Sequence, residues 1–238
     1  MACVGGGDMF IWAWVLRDRV DPQTTAGSDL VRILDYNVDM PTGALQKGLY
    51  HLDRNEAELA ERYFRRAIEL DGHSAPLRHE YAIALSMMGR PHDAIATLQE
   101  AIRLDPGEAE YQYKLALGWN ETGDLGKTVG ALVRAVQLNP RHARAWYNLG
   151  LARNSMNQPE AAIAALLKAE SVSPNDPDPP YARATILHAL RRIPEAIEAA
   201  QRRLAHEDSE PQDSAEVEAV SYTHLRPHET RHDLVCRL

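Results

Sequence analysis

Ala143-Arg-Ala-Trp-Tyr-Asn-Leu-Gly-Leu-Ala152 and, after Met156-Asn-Gln-Pro159, the stretch Ala161-Ala-Ile-Ala-Ala-Leu-Leu-Lys-Ala169 decide how this chain folds. In both, apolar residues recur every three or four positions, the spacing of one buried stripe on a helix. Pro159 suits the first turn of a second helix. Pro174 closes the segment, because proline lacks the N–H and disfavours helix in the residue before it. The unit is two helices joined by a tight turn.

Working outward, the same unit repeats every 34 residues. Pro106, Pro140 and Pro174 share that spacing, with Gly72 one period earlier. So do Ala67, Ala101, Ala135 and Ala169, and likewise Phe64, Leu98, Leu132 and Leu166. Further rows run Ala60, Ala94, Thr128, Ala162, Ala196 and Leu70, Leu104, Leu138, Val172. Gly89 and Gly123 mark the inner turn in neighbouring periods. The row Ala82, Ala116, Gly150, Ala184 lets two helices approach closely. One such hairpin cannot hide its apolar face alone, so the units must stack, which is the physics of a solenoid.

Composition agrees and excludes much else. The chain has 238 residues, 45% hydrophobic and 25% charged, with a net charge of −8. That balance argues against a protein that tracks nucleic-acid phosphates with a basic face. Aromatics make up 6%, and only Cys3 and Cys236 are present, so no disulfide framework is expected. No run of 18 apolar residues occurs, so no membrane span is expected. The stretch Met9–Leu16 is short, comes after Asp8 with no Lys or Arg, and lacks an A-x-A site; no signal peptide is expected.

Trp146, Leu149, Gly150, Ala162, Leu166, Ala169 and Pro174 resemble the tetratricopeptide-repeat pattern W-x2-L-G-x2-Y…A-x3-F…P. The resemblance implies an all-α, right-handed α-solenoid of about five repeats, at roughly 41–74, 75–108, 109–142, 143–176 and 177–208. These cover about 70% of the chain. Residues 1–40 are read as an N-terminal segment whose helix at Asp29–Asp35, N-capped by Ser28, covers the edge of the first repeat. The acidic stretch Glu207–Glu218 is read as a disordered linker. The tail from Ala219 resembles translated sequencing adapter, as found on open reading frames of raw metagenome assemblies, so 209–238 is set aside from the fold.

The fifth repeat departs from the pattern: Pro177, Pro179 and Pro180 crowd its first helix, and Gln201-Arg202-Arg203 suits a polar cap. In the third repeat, Gly126 and Gly130 fall inside the second helix, each costing about 1 kcal/mol against Ala. That helix is expected to be the softest of the array.

Two motifs imitate chemistry. His228-Glu-Thr-Arg-His232 is H-E-x-x-H, which on a helix would hold zinc, but Pro227 precedes it and it lies in the adapter-like tail. Gly123-Asp-Leu-Gly126-Lys-Thr128 ends like a phosphate-binding loop, but Glu121 stands where that loop needs glycine and a helix runs into it. The remaining histidines show no ligand spacing, and no nucleophile–base pair is present. No catalysis, cofactor or metal is expected.

The resemblance also implies that first helices line a concave groove. Tyr113, Tyr147 and Tyr181 stand 34 residues apart, with His79 one period earlier. Asn120, Asn154 and His188 form a second row, and Leu117 and Leu151 lie between the two. Such a groove suits an extended peptide or a helix of a protein partner, with rings for contact area and amides for its backbone. The family's chaperone-tail carboxylate clamp is not reproduced, since Leu45 and Leu49 occupy its Lys and Asn places. A second expectation is of a different class. Leu16–Asp21, His73–Pro76 and Pro180–Leu187 resemble the repeat tail of bacterial multihaem cytochrome c-type proteins. That likeness implies a truncated, exported enzyme, although no C-x-x-C-H haem site occurs here. Partner identity, oligomeric state and compartment, cytoplasmic or periplasmic, are left open.

Overall fold

The computed structural model describes residues 39–207. The helix expected at 29–35, the apolar stretch 9–16 and the tail carrying the H-E-x-x-H motif lie outside these residues. Among those described are ten helices in five pairs: α1 Pro41–Asp53 with α2 Ala57–Leu70, α3 Ala75–Met87 with α4 Pro91–Leu104, α5 Ala109–Glu121 with α6 Leu125–Leu138, α7 Ala143–Ser155 with α8 Pro159–Val172, and α9 Asp178–Ala189 with α10 Ile193–Glu207. Every helix packs chiefly on its neighbours in the chain, within a pair and then onto the next pair. That serial pattern is a solenoid. The expected all-α array of five helical hairpins is the observed one.

Proline starts many of these helices, at Pro41, Pro91 and Pro159, where its missing N–H would be unpaired anyway. Pro179 and Pro180 fit α9 for the same reason, since both fall in its first turn, and they are buried. Side chains cap others: Ser74, Glu108 and Asp124 accept from Leu77, Glu110 and Lys127 amides.

The inner turn is one motif repeated five times. Asn55, Gly89, Gly123, Asn157 and Arg191, all 34 residues apart, have φ between 58° and 81°. Around each, the next residue's N–H reaches back along the helix, as from Arg90 to Leu85, Asp124 to Trp119 and Arg192 to Leu187, at 2.9–3.0 Å. This is the Schellman closure of a helix end, which needs a left-handed residue. The phosphate-loop-like stretch Gly123–Thr128 is therefore a helix–helix turn followed by the first turn of α6. Between pairs, Asp71, Asp105 and Asn139 accept from the amide two residues on, forming Asx turns.

The 34-residue rows are the core. The rows of Ala67 and of Phe64 are buried throughout, and so is the row from Ala60 to Ala196. Thr128 sits in the last of these with its hydroxyl donated to the Asp124 carbonyl, so its burial leaves nothing unpaired. The Leu70 row differs. It closes the second helices at their last turns and stays partly exposed. Close approach is real where small residues permit it: a Cβ on Gly150 would stand 2.7 Å from Leu166, and one on Gly48 would stand 2.5 Å from the Phe64 ring.

Candidate functional site: the first-helix face

On α5, residues 113, 117 and 120 are spaced i, i+4, i+7 and share one face; 147, 151 and 154 do so on α7. The rows read from the sequence therefore run across successive first helices. Their exposure is graded. The His79 side chain is largely covered, and Tyr113 is 3% exposed. Tyr147 is half-buried, and Tyr181 is 47% exposed. Leu117, Asn120 and Leu151 are half-buried, while Asn154 and His188 are exposed.

The gradient has a packing cause. Each rung is covered by residues of the following repeat. His79 lies against Tyr111, ring centroids 5.2 Å apart. Tyr113 lies against His142 at 4.6 Å, and its hydroxyl accepts from Asn148 Nδ2 at 3.2 Å. Tyr147 packs on the apolar cluster around Leu166 and Leu187. Burial, followed by the charges of Asp178 and Asp176, pushes the Tyr147 phenol up to about 12. The Tyr113 phenol is also raised, mainly by burial.

A polar network that the rows did not reveal ties α5 to α7. His142 Nδ1 accepts from the Ala145 amide at 3.2 Å, so its proton sits on Nε2 and is donated to Glu110 at 3.1 Å. Lys114 Nζ lies 3.5 Å from the same carboxylate. The His142 hydrogen bond, then the Lys114 charge, hold the Glu110 carboxyl below its ordinary range against the opposing effect of desolvation. A signal for His142 was present: Ser74, Glu108, His142 and Asp176 form a 34-residue row, the first three at the cap position of their helices and Asp176 one residue before the cap of α9, where an acceptor for a helix-start amide is needed. Asn148 carried no such mark, because one position along the helix separates it from the tyrosine row.

Chemically this face offers aromatic area, amides and a few charges. Among the described residues no group of three His, Cys, Asp or Glu is placed to hold a metal ion, and no helix is long and apolar enough to cross a membrane.

The comparisons with known proteins bear on this architecture. Tetratricopeptide-repeat family profiles match residues 51–117 and 143–176. The chain carries tetratricopeptide repeats. Among solved structures, a crystal structure of MamA is 25% identical with a TM-score of 0.64, covering 68% of this chain and 94% of that one. YrrB, described as a tetratricopeptide-repeat protein with an unusual peptide-binding site, is 16% identical with a TM-score of 0.62, covering 75% of this chain and 92% of its own. PilF of Pseudomonas aeruginosa is 24% identical with a TM-score of 0.63, covering 73% of this chain and 78% of that one. The last two bear on the fold alone. No curated protein matches the chain in sequence. The tetratricopeptide-repeat array makes this chain a protein-interaction repeat module.

Proposed function

We propose that the first-helix face is a non-catalytic groove that takes an extended peptide or a helix of a partner protein. The contacts are His79, Tyr113, Leu117, Asn120, Tyr147, Leu151, Asn154, Tyr181 and His188. The observation that carries the reading is the alignment of ring, aliphatic and amide rows on one face of consecutive helices, with ring exposure that increases from α5 to α9. Tyr147, Leu151, Asn154, Tyr181 and His188 supply the accessible part. Tyr113 and His79 act as its floor, holding one repeat against the next. YrrB, which shares the fold, is described as having an unusual peptide-binding site, an example of a peptide held by an array of this architecture. In this reading residues 1–40 and 209–238 stay outside the array.

The test is panning of a random dodecapeptide library, displayed through its carboxyl end, on the full chain. Wild type is expected to enrich a family of sequences that the N154A/Y181A variant loses, with helicity by circular dichroism unchanged. Both substitutions remove exposed side chains. Tyr113→Ala would instead open the core, so Tyr113→Phe is the matching control and should retain enrichment. Equal enrichment by wild type and N154A/Y181A would remove the groove.

A further inference from the structure

From Leu125 to Pro159 the chain contains no Asp or Glu, although 34 acidic residues give the whole a net charge of −8. The same stretch holds Lys127, Arg134, Arg141, Arg144 and Arg153. Lys127 is paired with Asp124 at 2.9 Å, and Arg153 donates to the Ala161 carbonyl at 3.3 Å. Arg134, Arg141 and Arg144 are exposed and pair with no carboxylate of the described residues. Elsewhere many arginines have one: Arg78 with Glu100, Arg90 with Asp93, Arg192 with Glu195.

Arg144 alone of the three lies on a groove row. Arg144, Tyr147, Leu151 and Asn154 are spaced i, i+3, i+7, i+10 on α7 and share one face. The equivalent places on the other first helices hold Thr42, Pro76, Glu110 and Asp178. Glu110 is already engaged by His142 and Lys114. Arg144 also acts on the neighbouring row, since its charge favours the Tyr113 phenolate against the larger effect of burial. An uncommitted guanidinium therefore stands at the head of an aromatic and aliphatic stripe.

We propose that the segment taken up by the groove is acidic, with an Asp or Glu side chain of the partner forming a two-pronged ion pair with Arg144 while an adjacent apolar side chain lies on Tyr147 and Leu151. This rests on the groove reading above and adds the chemistry of its occupant. Guanidinium and carboxylate match in plane and spacing, so the pair fixes register as well as adding attraction. Charge complementarity favours an acidic peptide over a nucleic acid. Three exposed arginines set in an acidic protein leave most of a phosphate backbone facing repulsion.

The same panning experiment separates the two claims. Peptides enriched by wild type are expected to carry Asp or Glu beside an apolar residue. Arg144→Glu should abolish that acidic bias while still enriching apolar peptides. For one enriched peptide made synthetically, binding by fluorescence anisotropy should weaken roughly tenfold in R144E and less in R144K, and should weaken as salt rises. The display blocks the peptide's terminal carboxyl, so only side-chain carboxylates contribute. Enrichment of apolar peptides without acidic bias would overturn the proposal and leave the groove standing. Absence of any enrichment would remove both. Tighter binding of a single-stranded 20-nucleotide DNA than of the enriched peptide, lost in R144E, would also overturn it. So would peptide binding that appears only after the chain's own acidic residues between 208 and 218 are changed to Asn and Gln.

Discussion

Arg191 holds a left-handed conformation that its register gives elsewhere to Gly or Asn. In that region the Cβ of an ordinary residue crowds the following carbonyl, at about 1–2 kcal/mol. Arg191→Gly is therefore expected to stabilise the protein by about 1 kcal/mol, read as a rise in the urea midpoint. Gly89→Ala should lower it by a similar amount, because φ there is 68°. Helical glycines divide in the opposite way, by neighbours instead of by φ. At Gly150 a new methyl meets buried Leu166 and, at 3.2 Å, the Ala162 carbonyl. Gly150→Ala should destabilise by about 1–3 kcal/mol through overpacking. At Gly130 a new methyl meets nothing within 4 Å, so Gly130→Ala should stabilise by up to about 1 kcal/mol. Opposite signs for one substitution in two helices of the same array make a sharp comparison.

Among the second helices, α6 combines Gly126 and Gly130 with few side chains near either. Amide exchange over 125–138 is expected to be the fastest of the five second helices, and to slow in G126A/G130A. Best protection of that helix in the unmodified chain would contradict the expectation. At the α5–α7 junction, stability should depend on acid. The Glu110 carboxyl is held below its ordinary value in the folded state. Its contribution is complete above the unfolded value and is lost as pH falls through the lowered folded one. Glu110→Gln should flatten the fall in stability on acidification below about pH 4.5, the ordinary value of a glutamate. A fall as steep in E110Q as in wild type would place the acid sensitivity elsewhere.

Across the whole array, stability is a sum of hairpins and the interfaces between neighbours. The last interface rests on a buried ion pair. Arg183 of α9 donates Nε and Nη2 to Glu170 of α8 at 2.6 and 3.1 Å, and Arg202 of α10 approaches the same carboxylate. Removing one partner of a buried pair leaves the other charge stranded, at about 3 kcal/mol or more. Arg183→Met should therefore loosen α9 and α10 while leaving exchange in α3–α6 unchanged. Uniform acceleration in all ten helices would show that the array unfolds as one unit.

The 34-residue rows were legible because burial in a repeat depends on position within the unit. An Ala or Leu at a stacking position is covered whichever repeat it occupies. The turn glycines were legible for the same local reason, since only the chain's own geometry demands a left-handed residue there. Burial set by the side chains of the next repeat was not legible. Tyr113, Tyr147 and Tyr181 look alike in the chain, yet one is enclosed and another half in water, because Asn148 and His142 cover the first. Arg183 occupies the register held by Leu115 and Leu149, and its charge is tolerable only because Glu170, 13 residues earlier, crosses it. Periodicity specifies which face of each helix turns inward. Which polar groups meet across two helices depends on the crossing of those helices, and no spacing along the chain encodes that crossing.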